Sequence, residues 1–201
     1  MIATFAAFMA RCITGAGVRW VGCEPSERQR IYFANHTSHL DALVLWAALP
    51  SHVRSRTRPV AARDYWAAGV RRLLATRVFH AVLIDRQRVS AHANPIEPLL
   101  EALDQHASLI IFPEGGRQLS GEVAPFKSGL FHLAHKRPAV ELVPVHIDNA
   151  NRILPKGEIV PVPFLCCLSF GAPMHLLDGE TKPAFLERAR AAVLALRGPD
   201  G

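Results

Sequence analysis

Cysteine is scarce in this chain of 201 residues: Cys12, Cys23, Cys166 and Cys167 form no Cys-x-x-Cys pair, and two of the four are adjacent. That usage implies neither a disulfide framework nor a zinc site, and it fits a reducing compartment. Charge is also sparse, at 20% of residues against 50% hydrophobic, which excludes a disordered chain. No repeat, low-complexity tract or linker interrupts the sequence, so its length suits one domain with a sizeable core. No segment reads as a spanning helix. Residues 1–13 are apolar or small apart from Arg11, but a helix needs about 20 such residues to cross a bilayer. The same stretch lacks the basic start and small-residue cleavage site of a signal peptide.

What the amino-terminal stretch does carry is a stripe: Ile2, Phe5, Met9, Cys12 and Ile13 share one helical face. A core-packing first helix and a helix lying in the bilayer interface both fit, and the basic neighbourhood favours the interface. Residues 1–24 are therefore expected to be an interfacial helix and lead-in, with the main domain at 25–201. Acidic side chains are outnumbered 17 to 23, for a net charge of +6, and the basic residues are mostly Arg. Such a surface favours anionic partners. Arg54, Arg56, Arg58, Arg63, Arg71, Arg72 and Arg77 gather near Tyr65 and Trp66, a pairing expected at a lipid surface, although a solvated charged face is the ordinary alternative. No nucleic-acid recognition module accompanies them, so nucleic acid is not an expected partner.

Apolar runs that read as strands recur at 18–22, 31–34, 60–62, 79–84, 109–112, 140–147 and 164–170. Helical patterns lie at 40–48, 65–75, 96–106, 130–135 and 182–196. Strands apolar throughout and alternating with helices predict an α/β fold: a single domain with a mostly parallel sheet flanked by helices. In such sheets reactive loops gather at the carboxyl ends of strands.

One strand end carries Asn35-His36-Thr37-Ser38-His39-Leu40-Asp41. Ser38-x-x-Asp41 before an apolar run is a capping-box pattern, with Ser38 at the cap and Asp41 at the third helical position. That would set His36 just outside a helix whose first turn holds Asp41. A carboxylate accepting from one ring nitrogen leaves the other bare to take a proton from a hydroxyl. Two other readings stay open: Asp41 as a helix cap beside an ordinary loop histidine, and His36, His39 and Asp41 as metal ligands. No other His/Cys pair at ligand spacing supports the metal, so none is expected.

Two further strand ends are polar. One is followed by Asp85-Arg86, the other by Pro113-Glu114-Gly115-Gly116-Arg117. Adjacent glycines allow positive φ, so that backbone N–H groups can approach an anion, while Arg86 and Arg117 offer planar forks suited to phosphate. Glu114 could hold an arginine fork or accept a substrate hydroxyl. Lys127, with Ser128 as a cap, adds positive potential at a helix start. Taken singly, each of these residues reads equally as a surface ion pair or turn.

Taken jointly, NHTSHLD at 35–41, LIDR at 83–86, FPEGGR at 112–117, FKSG at 126–129 and VPV at 143–145 resemble the glycerolipid acyltransferases, closest to the lysophosphatidic acid acyltransferase group. The resemblance implies an O-acyltransferase of phospholipid biosynthesis. It moves an acyl group from a thioester of coenzyme A or acyl carrier protein to the free hydroxyl of a lysophospholipid, and needs no cofactor beyond that donor. It implies catalytic roles for His36 and Asp41, and binding of the phosphorylated acceptor by Arg86, Glu114, Gly115 and Arg117. Gly116 and Lys127 are placed with them as substrate-binding. A peripheral or monotopic site on the cytoplasmic face of a membrane is expected. The chain departs from the family pattern at Gly116, where Thr is usual, and at Ala81 and Leu83; the amino-terminal segment is also short. The substitutions bear on the acceptor, leaving another lysolipid as an alternative, and the short segment implies weaker membrane attachment or a partner. A non-catalytic binder of phospholipid or acyl carrier would keep the arginines and have no use for His36 with Asp41. A serine hydrolase lacks its Gly-x-Ser-x-Gly elbow, and Cys166 or Cys167 in an apolar run would be held protonated.

Overall fold

The computed structural model describes residues 17–63, 79–85, 94–118, 122–148 and 166–198. The expected helices at the amino terminus and at 65–75 lie outside these residues. Seven strands form one sheet: β1 (Gly17–Trp20), β2 (Arg30–Ala34), β3 (Thr57–Ala62), β4 (Val82–Ile84), β5 (Ser108–Ile111), β6 (Glu141–Asp148) and β7 (Cys167–Phe170). Their order across the sheet is β1-β7-β6-β2-β5-β3-β4. The run from β6 to β4 is parallel throughout, whereas β7 is antiparallel to β6 and carries β1 parallel to itself. Helices α1 (Asp41–Ala48), α2 (Ser51–Arg54), α3 (Glu97–Asp104), α4 (Gly129–Lys136) and α5 (Lys182–Leu194) complete the described elements.

Alternation along β2 builds two cores. Tyr32 and Ala34 face one, packed with Val44, Leu45 and Trp46 of α1; Ile31 and Phe33 face the other, with Leu99 and Leu103 of α3, Leu130 and Leu133 of α4 and Phe185 and Ala189 of α5. A strand buried on both faces has no polar side to show, hence the unbroken apolar run. Helix α1 is likewise buried on nearly every side, so it shows no amphipathic stripe. Leu49 turns extended before Pro50 and ends it.

Pro144 stands inside β6, where a missing N–H would normally break a ladder. Its carbonyl accepts from Gly171 N–H at 2.9 Å, just where the chain leaves β7, so the absent donor falls on the side the partner strand is vacating. Val143 and Val145 are fully buried and belong to the core.

His146, on the same strand, is buried, and burial holds its imidazole below the ordinary value, with Asp148 opposing that shift and Arg197 adding to it. The unfolded chain then binds the proton more readily than the folded one. Stability is full above about pH 6.5 and is lost as pH falls through the lower folded value. Thermal melts between pH 7.5 and 5.5 should show the melting temperature falling more steeply for the native chain than for His146→Gln. Equal slopes would contradict this origin.

Candidate active site

Strands β2 and β5 are neighbours in register, Phe33 beside Ile111, so the loops leaving their carboxyl ends meet. Asn35 anchors the first. Its side-chain amide donates to Ile147 C=O at 2.9 Å and accepts from Ile147 N–H at 2.8 Å, continuing the β2–β6 pairing by one residue before the chain turns out. This was not legible beforehand, since an amide after an apolar run marks a strand end without saying what it holds.

His36 follows, and its Nδ1 lies 2.8 Å from Asp41 Oδ2. The same oxygen accepts the N–H groups of Thr37 at 2.7 Å and Ser38 at 2.9 Å. A carboxylate oxygen only accepts, so the ring proton belongs on Nδ1 and the lone pair on Nε2. The Asp41 side chain is fully buried, while that of His36 keeps 22% of its surface exposed, enough to reach a substrate. Oδ1 of Asp41 is buried and has no hydrogen-bond partner among the described residues.

The capping box forms only in part. Helix α1 begins at Asp41 with Leu40 at its cap, and Ser38 Oγ accepts from Leu40 N–H at 3.2 Å in place of Asp41 N–H. Asp41 still reaches back to Ser38 N–H, but it holds Thr37 and the imidazole with the same oxygen. Its position is therefore fixed by the loop as much as by the helix.

The second loop grips the first. Gln118 N–H donates to His36 C=O at 2.8 Å, and the Phe112 ring stacks on the imidazole at 4.3 Å between centroids. Glu114, for which an arginine fork or a substrate hydroxyl is the expected partner, has backbone partners among the described residues. Both its oxygens accept backbone N–H groups, from His36 at 2.7 Å and Ala124 at 2.9 Å, and the residue is buried. Burial raises its carboxyl above the ordinary value, with the two backbone bonds opposing. Gly115 adopts φ +71°, a conformation that favours glycine; a Cβ there would fall 2.7 Å from Lys127 Nζ, which the exposed lysine side chain can relieve by moving. At Gly116 a Cβ would meet nothing within 4 Å, so the cleft is simply wider there. Ser128 occupies the cap position of α4 but makes no capping hydrogen bond with its side chain.

These residues border a cleft of about 740 Å³. His36, His39, Gly115, Gly116, Arg117 and Lys127 line its polar part, and the apolar wall includes Leu43, Val60, Ile84 and Leu99. Arg117 and Lys127 are both exposed. The lining thus combines cationic and polar side chains with a larger set of apolar ones. Arg86 lies outside the described residues. Among those described, no group of three or more His, Cys, Asp or Glu side chains could hold a metal ion. Cys166 is buried and offers no nucleophile: burial first, then the Asp41 charge, push its thiol up to about 12.

A family model described as Acyltransferase matches residues 18–148. The chain is 30% identical over 176 residues to the 1-acyl-sn-glycerol-3-phosphate acyltransferase alpha of Ovis aries, covering 86% of this chain and 59% of the relative. It is 30% identical over 155 residues to the 1-acyl-sn-glycerol-3-phosphate acyltransferase of Limnanthes douglasii, covering 75% and 53%. It thus spans between half and two thirds of the length of these relatives. The fold matches the crystal structure of the 1-acyl-sn-glycerophosphate (LPA) acyltransferase PlsC from Thermotoga maritima with a TM-score of 0.75, at 20% identity, covering 96% of this chain and 76% of that one.

Proposed function

Because the chain belongs to the acyltransferase family, we propose that it moves a fatty acyl group from an acyl thioester to the free hydroxyl of 1-acyl-glycerol-3-phosphate, giving phosphatidic acid. The observation that carries this reading is the His36–Asp41 hydrogen bond of 2.8 Å at a cleft lined by Arg117, Lys127 and many apolar side chains. The relatives' names supply the acceptor, and acylation of its free hydroxyl gives that product.

His36 Nε2 takes the proton of the acceptor hydroxyl as its oxygen attacks the thioester carbonyl carbon. Asp41 holds the ring in the tautomer that leaves Nε2 bare and stabilises the imidazolium as it forms. Collapse of the tetrahedral intermediate forms the ester, breaks the carbon–sulfur bond and expels the thiolate. The imidazolium returns its proton to that sulfur, so histidine and aspartate end as they began. No covalent enzyme intermediate is needed. Arg117 and Lys127, with Arg86, neutralise the acceptor phosphate, and the apolar wall takes acyl chain. The donor is acyl-CoA or acyl carrier protein.

The place of action is a membrane surface on its cytoplasmic face, held peripherally or monotopically by the basic surface and residues 1–24. No described helix is long and apolar enough to cross a bilayer.

Purified protein given lysophosphatidic acid and either donor should form phosphatidic acid. No product with either donor would contradict the reading. Arg117→Ala should raise the acceptor KM roughly 10-fold, the worth of a hydrogen bond to a charged group, with a smaller change in kcat. An unchanged KM would remove Arg117 from the phosphate site.

A further inference from the structure

Glu114 follows directly on the strand end that borders the cleft, yet it is buried and absent from the cleft lining. A carboxylate in that position is tolerable only if its oxygens are satisfied, and here the partners are two backbone amides from different segments. Oε1 accepts His36 N–H at 2.7 Å and Oε2 accepts Ala124 N–H at 2.9 Å. Ala124 begins the stretch that ends at Lys127, whose own N–H donates to Pro113 C=O at 2.8 Å. Gln118 N–H meanwhile holds His36 C=O at 2.8 Å, and Phe112 stacks on the ring. The segment 112–118 therefore grips residue 36 by its N–H, its C=O and its imidazole, and grips the Lys127 segment from its other side.

We propose that Glu114 is a positioning residue: its carboxylate fixes the His36 backbone against the 124–127 segment and so sets the direction of Nε2 relative to the cation that meets the acceptor. This rests on the reading of His36 as the base and extends it, because a group bound to the acceptor would turn an oxygen towards the cleft. Chemistry explains why the position holds Glu. Both partners are rigid donors, so two acceptor oxygens are required. Glutamine offers one and sets its NH2 against an N–H. Aspartate keeps the charge but is one methylene shorter and reaches one segment at a time.

The test compares Glu114→Gln and Glu114→Asp with the native chain by two independent readouts. Steady-state kinetics with lysophosphatidic acid and acyl-CoA should give kcat lower by on the order of 100-fold with little change in acceptor KM, as expected when a reacting group is misplaced by about an ångström. NMR of the histidine ring signals, with His36 assigned from the spectrum of His36→Ala, should show the His36 resonance displaced in both variants without any turnover. A raised acceptor KM with an unmoved His36 signal would overturn the proposal and put Glu114 on the substrate. Unchanged kcat and signal would overturn it as well. If His36→Ala itself retains activity, the base reading fails, and the ring signal still decides whether Glu114 holds that ring. Where the glutamine variant does not fold, the aspartate variant supplies both readouts.

Discussion

His36→Ala lowers kcat for acyl transfer by on the order of 100-fold or more, the usual worth of a positioned base. The fold should survive the change. The side chain is partly exposed, and the one side-chain hydrogen bond it gives up is to Asp41, which retains the N–H groups of Thr37 and Ser38. Acceptor KM should move little, because the proposed phosphate site of Arg117 and Lys127 is left intact. Kinetics beside a thermal melt separate the cases: a low kcat with a near-native melting temperature supports the base, and native turnover removes His36 from the chemistry.

Asp41→Asn is the sharper of the two substitutions, owing to how its oxygens are used. Oδ2 accepts all three hydrogen bonds, while Oδ1 is buried without a partner among the described residues. An asparagine can place its carbonyl where Oδ2 was, keeping the three accepted hydrogen bonds and removing the charge, while its NH2 at the Oδ1 position is a buried donor without an acceptor among the described residues and costs about 1–3 kcal/mol of stability. Loss of kcat then measures the stabilisation of the imidazolium by a buried anion. A fall on the order of 100-fold is expected, since charge stabilisation inside a dry site is worth several times what it is in water. The crystal structure of the variant should show His36 unmoved. Native kcat with the ring in place would mean that orientation alone is required of Asp41.

The strands were the most legible part of this molecule where the run is apolar and buried on both faces, as at β2 and β5, because no polar alternation confuses the reading. Their direction was not legible: the run ending at Phe170 is as apolar as the one ending at Ala34, yet β7 is antiparallel to β6. The four residues of α2 are too few to display a helical period. At the site, His36 and Asp41 could be paired on paper because a base and a carboxylate have one obvious way to meet. Asn35 and Glu114 could not be read, since a polar side chain at a strand end looks the same whether it faces a ligand or ties down backbone. Which it does depends on the path of the loop, and that path is set by contacts such as Gln118 with His36 and Lys127 with Pro113, distant in sequence and invisible to local pattern. The adjacent glycines make the same point: Gly115 is held by its positive φ, whereas Gly116 has no such constraint.

Direct transfer from thioester to hydroxyl, with His36 as base, fixes a stoichiometry that can be measured. Free thiol and phosphatidic acid are followed together in a rapid-quench experiment, with and without lysophosphatidic acid, at enzyme concentrations high enough to see a single turnover. Direct transfer releases one thiol for each phosphatidic acid formed, and essentially none before the acceptor is added. A burst of thiol equal to the enzyme present in the absence of acceptor, or steady thiol release without diacyl product, would contradict it.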